Sequence, residues 1–132
     1  MMRGRLVHSP LSTEFGRVLA SLVLAAPGAV AAVLSDEEGD AIDFVHDPRV
    51  ISELDVQLVG AQIGQAIIRR DESARRHVGG GALLVEAEHQ AFAACAVAER
   101  YVLALVLERH ANFARALDLL VEGGVVLVPL LT

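Results

Sequence analysis

Five histidines, one cysteine and seventeen carboxylates are the residues of this 132-residue chain whose types could bind a metal, attack a carbonyl or move a proton. Their spacing supports none of these. His8, His46, His77, His89 and His110 fall on different predicted connections and element ends, not in pairs at ligand spacing, so no metal site is expected. Cys95 stands alone in a small, apolar segment, where a packing role is the default; it forms no C-x-x-C pair and no internal disulfide, which is compatible with a reducing cytoplasm. Glu86 and Glu88 share one strand face, a spacing that fits a solvated surface, and no desolvating partner accompanies them to make an acid and base pair. There is no G-x-S-x-G elbow and no H-E-x-x-H pair.

The basic residues narrow the field further. All eleven are arginine, and without lysine there is neither a Walker A lysine for a phosphate nor an amine for a Schiff base. Arg69, Arg70, Arg75 and Arg76 surround Asp71 and Glu72, which reads as a solvated helix end favoured by the macrodipole. Gly79, Gly80 and Gly81 precede a strand, whereas a phosphate cradle needs a helix N-terminus after its glycines. The acidic turn Asp36 to Gly39 has neither the length nor the alternate oxygen ligands of a calcium loop. The expectation is a non-enzyme with no catalytic residue, no metal and no cofactor.

Composition sets the class. With 54% hydrophobic residues and a mean hydropathy of +0.49, the chain is too apolar for disorder and long enough for one domain with its own core, residues 1–132. A formal charge of -6 argues against a nucleic-acid partner. Arg3 and Arg5 ahead of VLASLVLAAPGAVAAVL mimic a secretory signal, but Glu14 and Arg17 precede the apolar run and Pro27 and Gly28 interrupt it. The run is also too short to span a bilayer, so a cytoplasmic protein without a transmembrane segment is expected.

The elements that would carry any function follow from periodicity. Residues 1–9 read as a lead-in, and Ser9 with Pro10 opens a first helix carrying Leu11, Phe15, Val18, Leu19, Leu22 and Val23, ended by Pro27 and Gly28. Ala29 to Leu34 is a short continuous apolar run, as in a strand buried on both faces, and it forms a hairpin with Asp40 to Val45 through the acidic turn. After the break at His46, Asp47 and Pro48 comes a long helix, Val50 to Arg70. Three strands follow as an antiparallel meander: Ala82 to Glu88 with one face partly wet and therefore at an edge, Ala91 to Val97, and Tyr101 to Leu107, apolar throughout and therefore central. Asn112 caps a last helix through Phe113, Ala116, Leu117, Leu120 and Val121, which Gly123 and Gly124 terminate, leaving an apolar tail, 125–132. The tail either folds back over the core or adds as a strand to a neighbour.

The long helix has two apolar stripes. Leu54, Leu58, Ala61 and Ile68 form one; Val56, Val59, Ile63 and Ile67 form another on nearly the opposite side, with Gly60 and Gly64 between them one turn apart. A single stripe serves a domain's own core, so a second implies a further partner, and a dimer interface is the favoured reading.

In this order of elements the chain resembles the Roadblock/LC7 family, including its bacterial gliding-protein-like members, which regulate a Ras-like small GTPase. The resemblance runs from about Leu11 to Leu120 and is carried by the Pro27-Gly28 turn, the Asp36 to Gly39 turn, the small and apolar LVGAQIGQAI of the long helix and the closing meander; VVLVPLLT departs from the more polar tails of GTPase-binding members. It implies an α+β fold, α-β-β-α-β-β-β-α, with a five-stranded antiparallel sheet between the long helix and the two terminal helices. It further implies a homodimer joined through the long helix and the strand at Ala82. The residues expected at that dimer or partner interface are Val56, Val59, Gly60, Ile63, Gly64, Ile67, Leu84 and Glu86. Paired long helices would then make a platform for a small GTPase or a scaffold protein. The alternative is a sensor domain that binds a small apolar ligand within its core.

Overall fold

The two most continuously apolar strands become the middle of the sheet. In the computed structural model, which describes residues 6–8, 13–74 and 82–131, with backbone only at His8 and 67–74, β2 (Ala29–Asp36) lies antiparallel to β6 (Tyr101–Glu108), Val33 opposite Ala104. β3 (Ala41–His46) flanks β2, and β5 (Gln90–Val97) flanks β6. β4 (Ala82–Glu86) closes one edge, and the other gains a two-residue strand, β1 (Val7–His8), from the lead-in. The order is β1-β3-β2-β6-β5-β4, so the expected five-stranded antiparallel sheet is present and one short strand wider. Strands buried on both faces need cover on both.

Helices supply it. α2 (Glu53–Ala74) covers the face carrying Val33, Phe44, Ala104 and Val106. On the opposite face α1 (Glu14–Ala25) and α3 (Phe113–Leu131) pack over Ala32, Leu34, Leu103 and Leu105. The element order α-β-β-α-β-β-β-α is therefore that of the expected α+β fold.

All three helices differ in extent from the sequence reading, and the strand expected to run to Glu88 ends at Glu86. α1 begins at Glu14, not at Ser9 and Pro10, because Thr13 is its cap: Thr13 Oγ1 accepts from Phe15 N at 3.2 Å and donates to the buried carboxylate of Asp43 at 2.6 Å. Thr13 N donates to the same carboxylate oxygen at 3.0 Å, which fastens the helix start to β3. α2 begins at Glu53, where Ser52 Oγ accepts from Asp55 N at 3.2 Å, and runs beyond Arg70 to Ala74.

The third difference is the largest. Asn112 caps α3 as expected, its Oδ1 accepting from Arg115 N at 3.0 Å, but Gly123 and Gly124 do not end the helix, and no separate tail folds back or forms a strand. The glycines are buried where the helix passes close to its neighbours: a Cβ on Gly123 would lie 3.4 Å from Leu22, and one on Gly124 3.4 Å from Val97. Ala116, Leu120 and Leu127 continue one buried stripe through them. Pro129 falls within the last turns, where its missing N–H removes a single ladder bond.

Candidate functional site

α2 and the β4 edge are the elements singled out by the sequence, and the structure divides their residues. Val56 is fully buried against the sheet, Gly60 and Gly64 are buried beside it, and Val59 and Ile63 pack half-buried onto the same cluster. These five expected interface residues are therefore covered by the chain's own sheet. Gly60 is there for a physical reason: a Cβ on it would lie 2.6 Å from Ser35 Oγ and 3.1 Å from Val33, so only glycine lets the helix come this near β2. Ser35 Oγ, buried and without a hydrogen-bond partner, points at that backbone. Gly64 is roomier: among the described residues only Val102 lies within 4.0 Å of an added Cβ. The side chains of Ile67 and Ile68 lie outside the described residues, as do the arginine cluster's placement at Arg69, Arg70, Arg75 and Arg76 and the run Gly79 to Gly81.

The other stripe faces away from the sheet. Leu54 is 63% exposed and Leu58 47%, and Ala61 is half-covered by the β2–β3 turn at Gly39, whose φ is +89°. Leu58 and Val59 share a groove of about 440 Å³ with His89 from the β4–β5 turn and Gln90, the first residue of β5. The exposed side of α2 thus reaches the β4–β5 turn and the start of β5. β4 pairs only with β5 among the described residues, leaving its outer backbone groups open. On it Leu84 is half-buried towards α1 and α3, while Val85 and Glu86 are exposed.

The surroundings hold this surface in place. His46 Nδ1, as the N–H tautomer, donates to Ile51 O at 2.8 Å, fixing the turn that leads into α2. In that turn the Arg49 side chain donates two bonds to the Asp47 carboxylate, at 3.1 and 3.0 Å, and this hydrogen bonding holds the Asp47 carboxyl below its usual range. Arg109 donates to Glu88 O at 2.9 Å and so braces the β4–β5 turn. His89 Nε2 and Glu88 Oε1 lie 3.7 Å apart, but both side chains are 86% exposed and the contact adds little.

No cluster of three or more metal-ligating side chains occurs among the described residues. Cys95 is buried behind α3, its Sγ 3.9 Å from Leu120 O, and burial pushes its thiol up to about 11, far from a nucleophile at neutral pH. Two features escaped the sequence reading. Asp43 is a buried carboxylate inside an apolar strand, and the pattern AIDFVH, with one acid between apolar residues, was its only signal. The groove at His89 has none, because its walls come from segments about thirty residues apart.

Neither protein-family models nor curated protein sequences give a match. Solved structures do. The Roadblock/LC7 domain from Streptomyces avermitilis superposes with a TM-score of 0.73 at 15% identity, over 90% of this chain and 98% of that one. Myxococcus xanthus MglB gives 0.74 at 13% identity, over 92% and 97%. An MglB with a tetrameric arrangement gives 0.75 at 14% identity, over 97% and 96%. The chain has the Roadblock/LC7-like fold.

Proposed function

We propose that this Roadblock/LC7-fold chain is a non-enzymatic regulatory or scaffold protein that pairs with itself through the outward side of α2 and the β4 edge, and presents the paired helices to a Ras-like small GTPase or an associated signalling, polarity or motility protein. The carrying observation is that Leu54 and Leu58 are exposed on α2 while β4 leaves an edge of the sheet unpaired among the described residues. One two-fold contact would bury the stripe and pair the edge, with Glu86 at its rim and Leu84 behind it. Val56, Val59, Gly60, Ile63 and Gly64 then serve the interface indirectly, by seating the helix on the sheet. The MglB of similar fold with a tetrameric arrangement supports self-association, and the small GTPase follows from the sequence resemblance.

Location in the cytoplasm fits the absence, among the described residues, of any helix long and apolar enough to cross a membrane. The ligand-sensor alternative needs a chamber within the core; the grooves beside α2 and between α1 and α3 lie at the surface.

The test is a titration of the small GTPase from the same genome, loaded with GDP or a non-hydrolysable GTP analogue. Wild-type protein should bind one nucleotide state preferentially, and Leu58→Asp should lose at least tenfold in affinity, about the cost of truncating a buried apolar anchor. Equal binding by wild type and variant, or no binding in either state, would contradict the reading.

A further inference from the structure

Among the described residues β4 is hydrogen-bonded only to β5, and the alternation of that ladder fixes which backbone groups the open edge presents. Ala87 N donates to Gln90 O at 2.8 Å, so theirs is a hydrogen-bonded pair, and by alternation Val85 with Phe92 and Leu83 with Ala94 are bonded pairs too. The N–H and C=O of Ala82, Leu84 and Glu86 are left to point away from β5. Side chains divide by the same alternation. Leu83 and Phe92 pack onto the cluster under α2, with Val85 on that side, whereas Ala82 and Leu84 pack towards α1 and α3. Val85 is 38% exposed, and Leu83 and Phe92 are only half-buried, so a strip of apolar sheet lies open on the α2 side.

We infer that β4 pairs with β4 of a second copy in a single register, with Leu84 on the two-fold axis; this rests on the self-pairing proposed above and specifies it. In an antiparallel ladder a two-fold sets some residue opposite its own copy, because an offset by one would relate a hydrogen-bonded pair to one that is not. Leu84 on the axis engages the whole of β4. Leu84 meets its own copy and Ala82 meets Glu86 of the partner subunit, so every outward-pointing group of the strand is bonded. Leu83 on the axis leaves Val85 and Glu86 outside the β4 pairing. Val85 on the axis leaves out Ala82 and Leu83 and sets Glu86 against Leu84 of the partner subunit. Ala82 or Glu86 on the axis pairs a single residue, and Glu86 then opposes its own carboxylate. In the Leu84 register Leu83 faces Val85 of the partner subunit, and the reverse, in the closer pairs that exchange no hydrogen bonds. The two open strips thereby join into one apolar floor on the α2 side.

Disulfide trapping reads the register. A Leu83→Cys chain and a Val85→Cys chain are co-expressed, and each is also made alone; Cys95, buried behind α3, stays in place, with wild type as its control. Directly facing Cα atoms of such a pair lie about 4.5 Å apart, within disulfide reach, and diagonal ones about 7–8 Å apart, beyond it. Under mild oxidation the mixed sample should give a linked dimer on a denaturing gel, and either variant alone should not. Linkage of Leu83→Cys alone or Val85→Cys alone would place the axis at that residue and overturn the inference, while self-pairing through β4 stands. Variants that keep a dimer's mass by light scattering without linkage in any sample would also overturn it, since the contact would then lie away from this edge. A monomer's mass for wild type would remove the self-pairing reading itself, and this register with it.

Discussion

The inward and outward sides of α2 have similar apolar content and opposite consequences. Val56, Gly60 and Gly64 face a sheet already in contact, so changes there act on folding. Leu54 and Leu58 are exposed among the described residues, Leu58 beside His89 and Gln90, so changes there should leave the monomer intact and act on association. Two stripes on one helix therefore do not have equal claims to an interface. Which stripe belongs to the core was decided by Gly60, through its fit against Ser35 and Val33.

The strongest way to break this contrast is Gly60→Val. Atoms beyond the Cβ have nowhere to go between Ser35 and Val33, so a loss of about 3 kcal/mol in urea-denaturation stability is expected, at the upper end of ordinary overpacking. An unchanged midpoint would mean that α2 does not sit against β2 as described. A bulky residue at Gly60 is for the same reason a poor probe of dimerisation, since it damages the fold first. Gly64→Ala sharpens the contrast from the other direction. Its Cβ meets only Val102, at 4.0 Å, while the gain in helix propensity is about 1 kcal/mol, so the midpoint should rise. A fall would reveal a close neighbour at that turn.

The smallest effect concerns the turn that leads α2 off the sheet. Asp47 has a folded pKa below the ordinary carboxylate value, chiefly through its side-chain hydrogen bond with Arg49. A depressed carboxyl pKa stabilises the fold above the unfolded value, and that contribution disappears as pH falls through the folded value. Melting temperature should therefore fall slightly more steeply below about pH 4 in wild type than in Arg49→Ala. Parallel curves would show that this exposed pair is energetically silent.

Most of the architecture was legible because burial on both sides leaves a plain mark. Ala29 to Leu34 and Tyr101 to Leu107 are unbroken apolar runs, and both lie at the centre of the sheet. The wet-faced segment at Ala82 lies at an edge. What periodicity could not separate was a glycine that ends a helix from one that lets a helix approach its neighbour. Gly123 and Gly124 invite the first reading, and the stripe Ala116, Leu120, Leu127 carries the second. The same ambiguity affected Gly60 and Gly64, which suit either a partner helix or the chain's own sheet. Asp43 was missed because its use, holding Thr13 at the start of α1, depends on a contact thirty residues away. The candidate surface was half legible: the helix and the strand edge were identified, and the side of the helix that remains available required the packing.

The central claim is that the outward side of α2 is a self-association surface, and the most direct measurement is the solution mass of wild-type and Leu58→Asp protein by light scattering, each with its denaturation midpoint. The account predicts that the substitution halves the mass while moving the midpoint of the folded monomer by no more than about 0.5 kcal/mol, as expected of a surface position. A mass unchanged by Leu58→Asp, in protein that is folded, would contradict it.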